Sequence, residues 1–201
     1  IRAKLEAEQG AESGLLVVSD MQSAGRGRRG RGWESPAGTN IYYTLMLKPD
    51  FSSDCAPMLT LVMALAVAKG IRQTLRRDSE EAAAKVGIKW PNDIVVDGKK
   101  VCGILTEMSM EQGYIQHIVI GVGINVRKQE FPEEIRDRAA AIDEQCGFRI
   151  SRSQLIADIM EAFEEDYEIF LRTHDLKGLR ASYAELLVNQ DREVCVLDPK
   201  G

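Results

Sequence analysis

Four arginines and four glycines make up residues 25–32, in a chain whose formal net charge is −5. Arginine presents planar pairs of N–H donors that match the two oxygens of a carboxylate or a phosphate. Glycine lets a ligand approach the backbone closely, although ordering it costs more conformational entropy than ordering any other residue. The stretch from Gln22 to Trp33 therefore predicts a loop that binds an anion and stays mobile until the anion orders it. A solvated arginine-rich tether for nucleic acid fits this stretch equally well.

A lone lysine is predicted to extend from one face of a β-strand at residues 86–90. Side chains alternate between the two faces of a strand. This alternation places Lys89 and Gly87 on one face and the apolar side chains on the other. Lys89 would thus extend from a face that glycine leaves open. The alternative is that Lys89 extends into solvent, as long charged side chains commonly do.

Several glycines interrupt the strands that follow. The same alternation within residues 118–125 places Gly121, Gly123 and Asn125 on one face. Glycines in the middle of a strand are tolerated where a ligand or another backbone must come close. We therefore expect a hollow floored by these glycines and by Gly103, with Lys89 and Asn125 as its polar groups and the arginine-rich loop as its lid. The alternative is that the glycines merely mark β-bulges.

Cations around a pocket that excludes water suit reactions in which negative charge develops on phosphorus. Formation of an acyl-adenylate is such a reaction, because fixed cations that bridge a carboxylate and a triphosphate allow in-line attack on the α-phosphorus. The sequence contains no Walker A motif, so phosphate binding is not of the P-loop kind. His117 and His174 lie in unrelated segments and offer neither a Ser–His or Cys–His nucleophile pair nor a histidine metal cluster.

The composition of the chain argues against several classes of protein. A net charge of −5 argues against general binding to nucleic acid or to a membrane surface, both of which rest on a summed positive field. The four cysteines are far apart and form no C-x-x-C pair, so we expect a reducing, cytoplasmic setting without a disulfide scaffold or a zinc site. No signal peptide is expected at the start of the chain. The longest apolar run, residues 58–68, is about half the roughly 20 residues that cross a bilayer, and we expect it to be a buried helix.

Hydrophobic periodicity predicts an α+β fold, a mixed and largely antiparallel sheet with helices packed on it. A turn or bulge at Pro91-Asn92 and a hairpin at Asp97-Gly98 order the later strands into an antiparallel meander. A capping box opens the long amphipathic helix that follows Ser151. Strands are predicted at 15–19, 41–47, 86–90, 94–96, 101–108 and 114–126, and helices at 2–9, 58–75, 152–171 and 176–187. Residues 192–197 are expected to begin a further strand, the start of a small β-module.

Four motifs occur in a fixed order: the Gly/Arg stretch with Trp33, Lys-Trp-Pro-Asn-Asp-Ile at 89–94, Gly-Ile-Leu at 103–105 and Gly-Val-Gly-Ile-Asn at 121–125. Together they resemble the catalytic domain of biotin protein ligases, the biotin–[acetyl-CoA-carboxylase] ligases, over nearly the whole chain. The resemblance implies a fold like that of the class II aminoacyl-tRNA synthetases. It further implies an enzyme that makes biotinyl-5′-AMP from biotin and ATP with Mg²⁺, and then passes biotin to one lysine of a carboxylase's biotin carrier protein.

The resemblance also implies roles for individual residues. The catalytic groups would be Lys89 and Arg28, with Lys89 bridging the biotin carboxylate and the α-phosphate. The biotin-binding residues would be Gln22, Gly25, Arg26, Gly27, Arg28 and Lys89. The residues that contact ATP or the adenylate would be Arg26, Arg31, Trp33 and Asn125. No Mg²⁺ ligand is assigned.

The same resemblance predicts the domain organisation. Residues 1–189 would be the catalytic domain and 190–201 the start of a truncated C-terminal SH3-like β-barrel. A segment that helps to hold the ureido ring of biotin is expected before Ile1. We expect no binding of nucleic acid or membrane through this domain, and a homodimer is compatible with the sequence.

Two other functions compete with this interpretation. Lipoate ligases and octanoyl transferases share the fold, but the complete Gly/Arg stretch and the Lys-Trp-Pro-Asn-Asp run favour biotin. A nucleic-acid-binding module that uses the Gly/Arg loop is the alternative from another class, and it predicts affinity that falls steeply with salt and no turnover of ATP.

Overall fold

An antiparallel sheet of six strands organises the protein, whose computed structural model describes residues 1–193. The strands are β1 (Leu15–Ser19), β2 (Ile41–Leu47), β3 (Val86–Lys89), β4 (Asp93–Val96), β5 (Lys99–Glu111) and β6 (Tyr114–Ile124). Their order across the sheet is β1-β2-β6-β5-β4-β3. Strands β3 to β6 follow one another in the chain and pair in turn, which confirms the predicted meander. Asp97 and Gly98 both have positive φ, as a tight two-residue hairpin requires.

Helices cover both faces of this sheet, and the predicted α+β fold is confirmed. They are α1 (Arg2–Glu8), α2 (Leu59–Arg76), α3 (Glu80–Ala84), α4 (Ile142–Cys146), α5 (Arg152–Thr173) and α6 (Arg180–Leu186). The predicted helix at 176–187 begins only at Arg180, because the backbone N–H of Leu179 donates to the carbonyl of Leu176 in a turn. The five-residue helices α3 and α4 were not predicted, because they are too short to show a hydrophobic period.

Helix α2 packs on one face of the sheet, helix α5 packs along α2, and both form the main core with the sheet. The Ser151 side chain accepts a hydrogen bond from the backbone N–H of Gln154, as the predicted capping box requires. In the described part of the chain, Ser53–Arg76 is long and apolar enough to span a membrane by length and composition alone. Most of that segment is buried inside the fold, which confirms the prediction of a core helix.

The opposite face of the sheet is only partly covered. Helix α1 packs Ala3 and Ala7 against Met46 of β2 and Val119 of β6. The Gly/Arg loop, between β1 and β2, covers the neighbouring part of this face, and a cavity lies between loop, helix and sheet. The predicted strand at 192–197 and most of the expected barrel fragment at 190–201 lie outside the described residues.

Candidate active site

The pairing of the strands places one residue from each strand in a single row across the open face. Paired residues of antiparallel strands project their side chains to the same side of a sheet. The row runs from β1 to β3 through Ser19, Tyr42, Gly123, Gly103, Asp93 and Lys89. The predicted sharing of one face by Lys89 and the glycines of β5 and β6 is therefore present in the register. Two glycines at the centre of the row leave the sheet without side chains there.

A cavity of about 390 Å³ lies over this floor. Its lining combines Gly103, Gly121 and Gly123 from the sheet with residues from α1 and the Gly/Arg loop. A Cβ atom added to Gly121 would lie 3.6 Å from the carbonyl oxygen of Leu105 and no nearer to another residue, so this part of the floor opens on free space. The glycine-floored hollow that the sequence predicted is confirmed at these three positions.

The indole of Trp33 lies directly on the other two glycines of the floor. A Cβ on Gly123 would come within 2.5 Å of the Trp33 Nε1 atom, and one on Gly103 within 2.9 Å of its Cζ3 atom. The Nζ atom of Lys100 lies 5.6 Å from the centre of the Trp33 ring, a cation–π distance. The Nε1 atom is buried and has no hydrogen-bond partner among the described residues. The flat slot over these glycines thus holds an aromatic ring of the protein itself.

Lys100 lines the cavity from the sheet, as Lys4 does from α1, and the sequence did not predict a role for either. The Nζ atom of Lys100 lies 2.6 Å from Oδ1 of Asp93, the β4 member of the row. Strict alternation from Gly103 would send Lys100 to the opposite face. An irregularity in the β4–β5 pairing instead turns both Val101 and Cys102 into the core and returns Lys100 to the cavity. Nothing in the local sequence marks this bulge except a lysine three residues before the Gly-Ile-Leu motif.

Lys89 lies at the outer end of the row. It is exposed and is not among the residues that line the cavity. Gly87 lies on the same face of β3, but a Cβ there would meet Cγ1 of Val188 at 2.2 Å. The segment after α6 therefore covers Gly87, and the prediction that this glycine leaves its face of β3 open is wrong. The role of Lys89 stays a prediction.

The Gly/Arg loop folds back on itself above the floor. The backbone N–H of Gly27 donates to the carbonyl of Arg31 (2.7 Å), and that of Trp33 donates to the carbonyl of Gly25 (3.0 Å). A 3₁₀ turn at Arg28–Gly30 closes the loop, with Arg29 in the left-handed region. These bonds give the loop a defined shape, whereas its ordering by a ligand stays a prediction.

Two arginines of the loop are tied to the sheet. Arg26 donates to Glu107 of β5 at 2.7 Å, and Lys4 of α1 lies 3.2 Å from the same carboxylate. Arg28 donates to the side-chain oxygen of Asn92 at 2.7 Å. Two arginines that are separated only by Gly27 are therefore held by different partners, one anionic and one neutral.

The remaining predicted residues are placed as follows. Ser35 donates to Oε1 of Gln22 (2.8 Å), which lines the cavity with Arg26, Gly27 and Arg28. Gly25 lies behind them, where a Cβ would come within 2.1 Å of the Trp33 carbonyl oxygen, so the loop can only close on glycine. Arg31 is exposed, and Asn125 is buried with its backbone N–H bound to Val101 (2.7 Å). Neither of these two is among the residues that line the cavity.

Burial raises the pKa of two side chains at the floor of the cavity. It raises the pKa of Tyr42, whose hydroxyl donates to the carbonyl of Pro36 at 3.1 Å. It raises the pKa of Cys102 beneath the floor still further, so this thiol packs as a small apolar group. Among residues 1–193, no group of three or more His, Cys, Asp or Glu side chains is placed to hold a metal ion.

The antiparallel sheet and its helices match solved structures of biotin protein ligases, which have the class II synthetase-like fold. Residues 3–125, which include the Gly/Arg loop and the glycine floor, match the biotin/lipoate A/B protein ligase family. The chain belongs to this family.

Three known proteins show the range of similarity. The bifunctional ligase/repressor BirA of Bacillus subtilis is 42% identical over 183 residues, which are 89% of this chain and 54% of that protein. The biotin–[acetyl-CoA-carboxylase] ligase of Paracoccus denitrificans is 38% identical over 122 residues, 61% of this chain and 48% of that protein. The chain spans about half the length of these relatives. The structure of Aquifex aeolicus biotin protein ligase in complex with biotin and ATP matches 92% of this chain and 74% of its own, with a TM-score of 0.72 and 28% identity.

Proposed function

We propose that this chain activates biotin with ATP to biotinyl-5′-AMP and transfers the biotin to a lysine of a carboxylase's biotin carrier protein. The observation that carries the proposal is the cavity itself, in which Lys100 and two loop arginines surround a floor of glycines. Membership of the family and the printed names of the relatives support biotin, ATP and a carboxylase as its substrates.

The cavity suits the first step electrostatically. A biotin carboxylate oxygen attacks the α-phosphorus of ATP, the bond to the β-phosphate oxygen breaks, and pyrophosphate leaves. Both reactants are anions that repel each other, and fixed cations offset this repulsion and the charge that develops on phosphorus. We assign this role to Lys100 and Arg28, which line the cavity from opposite sides, sheet and loop. Lys89, the lysine that the resemblance favours, stays as a second candidate at the outer end of the row.

In the second step the neutral amine of the carrier lysine attacks the acyl carbon, and AMP leaves with the bonding electron pair. Trp33 would provide an aromatic surface for the adenine, with Arg31 and Asn125 further from the reacting atoms. Mg²⁺ would enter with the triphosphate, bound through phosphate oxygens and the waters that it retains. A cytoplasmic location and a homodimer belong to the same proposal.

Biotin-dependent exchange of labelled pyrophosphate into ATP tests this function. We expect exchange with biotin and little with lipoate or octanoate. Exchange with lipoate instead would assign the chain to the lipoate branch of the same family. Salt-sensitive binding of nucleic acid without exchange would favour the nucleic-acid module.

A further inference from the structure

His117 lies buried on the open face of the sheet, under helix α1. Its side chain projects from the same face of β6 as Val119, the residue on which α1 packs Ala3 and Ala7. Only 2% of His117 is exposed, and neither ring nitrogen has a hydrogen-bond partner among the described residues. A charged group buried in this way would be costly, so the imidazole is neutral while α1 stays packed on it.

The charged groups around this imidazole reinforce its neutral form. Lys4 of α1 and Lys48, which follows β2, disfavour its protonation, whereas Glu8 of α1 favours it. Its partner on β5, Ser109, carries no charge. Burial has the largest effect, and together with the two lysines it lowers the pKa of His117. A proton on His117 would therefore lie between two cations.

Helix α1 depends on its contacts with the sheet. It has seven residues, too few to form a stable helix alone in water. Its two buried alanines contact Met46 of β2 and Val119 of β6, and Lys4 lies 3.2 Å from Glu107 of β5. A charge that appears under α1 is thus opposed by small apolar contacts and by one partly exposed ion pair.

The first turn of α1 also forms a wall of the cavity. Ile1, Arg2, Ala3 and Lys4 line it on that side, and Val119 lines it beside His117. Release of α1 from the sheet would remove this wall and expose both the imidazole and the end of the cavity to water.

We propose that His117 is a pH-sensitive switch for this wall of the cavity: when the imidazole takes up a proton, α1 leaves the sheet and the cavity opens. An imidazole in water has a pKa of about 6.5, so the released form binds the proton more tightly than the packed form does. Acid therefore favours release, and neutral pH favours the packed helix. The effect on catalysis rests on the proposed function, whereas the release of α1 does not.

Amide hydrogen exchange of α1 in the full chain tests the switch. Between pH 8 and pH 5, protection of the amides of residues 5–9, corrected for the intrinsic exchange rate, should fall by up to about thirtyfold, the limit that titration of an exposed imidazole sets. His117→Gln and His117→Leu carry no titrating group at this position, and both should abolish the fall. The same acid dependence in wild type and in these variants would overturn the proposal.

His174→Gln is the matched control. His174 is the other histidine of the chain, exposed at the end of α5 and packed against Phe51. Its substitution should leave the acid dependence of α1 exchange as in wild type. Nuclear magnetic resonance of the unsubstituted protein provides a second measurement, in which the ring signals of His117 should titrate together with the loss of α1 protection. Titration of His117 while α1 stays fully protected would reject the switch.

Binding of biotin separates this inference from the proposed function. Wild type should lose affinity for biotin severalfold between pH 7 and pH 5, and His117→Gln should lose less than about twofold, because only the wild type shifts toward the released form. Equal losses in the two proteins would show that the switch does not act on the cavity. Absence of biotin binding at every pH would count against the proposed function alone, since α1 exchange is measured without ligand.

Discussion

Glycine serves opposite purposes on the two faces of the sheet. On the face covered by α2 and α5, a Cβ on Gly70 would lie 2.5 Å from a side-chain atom of Ile159 and 2.7 Å from its backbone. On the open face, a Cβ on Gly121 would meet nothing closer than 3.6 Å. The first glycine allows two helices to touch, and the second leaves space that the protein does not fill. A mid-element glycine therefore indicates a ligand site only where no opposing backbone occupies the space.

Charged side chains also differ between the two faces: they are buried and paired on the filled face and exposed at the cavity on the open face. On the filled face, the buried Asp158 and Asp166 of α5 are paired with basic side chains of or next to α2. On the open face, Arg26 and Arg28 are exposed at the rim of the cavity. Substitutions on the filled face should therefore change the free energy of unfolding, and those on the open face should change ligand binding.

The largest effect is expected at Lys100. Lys100→Ala removes a cation that lines the cavity, and the rate of adenylate formation should fall about 10²- to 10³-fold, as for loss of one preorganised oxyanion donor. The unfolding midpoint should fall only slightly, because the lysine side chain faces the cavity rather than the core and its ion pair with Asp93 is partly exposed. Biotin-dependent pyrophosphate exchange measures the rate.

Lys89→Ala is the matched variant for Lys100→Ala. Lys89 pairs with Asp93 in the row of residues across the open face but does not line the cavity. The rate of adenylate formation should therefore fall clearly less in Lys89→Ala than in Lys100→Ala. A larger loss at Lys89 would return the bridging role to the lysine that the motif resemblance favours, and would show that the outer end of the row closes over the ligand.

Gly70→Ala should give the next largest effect, on stability alone. The added methyl group meets backbone atoms of Ile159, which cannot move without shifting α5, so we expect destabilisation of about 1 to 3 kcal/mol. Urea unfolding measures this change, and the dissociation constant for biotin serves as the control. A loss of biotin affinity in a protein of unchanged stability would break the division between the two faces.

Gly121→Val and Gly123→Val test the open face at adjacent positions. Valine suits a strand, so neither should lower the unfolding midpoint much, and each should weaken ligand binding by about tenfold. Only Gly123→Val must displace the Trp33 indole, so only it should shift tryptophan emission to longer wavelength without ligand. The other tryptophan, Trp90, is already 60% exposed and changes little. Strong destabilisation with unchanged binding would mean that these glycines serve packing.

Much of the fold could be predicted from the sequence, because its signals are local. Hydrophobic alternation, a positive-φ hairpin dipeptide and a capping box each act within a few residues, and they gave the meander and helix α5. The glycine floor followed from the same alternation. The placement of Lys100 did not, because a bulge in β5 depends on its partner strand and is invisible in the spacing of a single strand.

Two contacts at the site could not be predicted, for related reasons. Gly87 was expected on an open face because alternation gives the face of a residue but not what covers that face. The covering segment is about a hundred residues further along the chain. Trp33 is still predicted to lie beside the adenylate, but its contact with the bare floor could not be predicted, because it depends on how the loop closes. The alternation of side chains along a strand thus predicts the glycine floor of the cavity. The residues that cover this floor come from distant parts of the chain, and no local sequence pattern predicts that they meet it.

The smallest effects are expected on the filled face, where two buried carboxylates have pKa values shifted in opposite directions. Burial raises the pKa of Asp166, although Nζ of Lys69 lies 2.5 Å from its Oδ1 atom. Burial acts on Asp158 in the same sense, but hydrogen bonds from Arg77, Thr74 and Gln154 outweigh it and lower that pKa.

The two carboxylates should therefore give opposite pH dependence of stability. A carboxyl group whose pKa is lower in the folded protein stabilises the fold at pH values above its unfolded pKa. Asp158→Asn should therefore lower the free energy of unfolding by about 1 kcal/mol at neutral pH. This difference from wild type should vanish as the pH falls through the lowered pKa. For Asp166 the folded pKa is raised, so its stabilising contribution is complete at acid pH and is lost as the pH rises through that value. Wild type should thus gain stability relative to Asp166→Asn on acidification and lose it relative to Asp158→Asn. Urea unfolding of the three proteins between pH 3 and pH 7 measures both slopes, and slopes of the same sign would show that Lys69 outweighs the burial of Asp166.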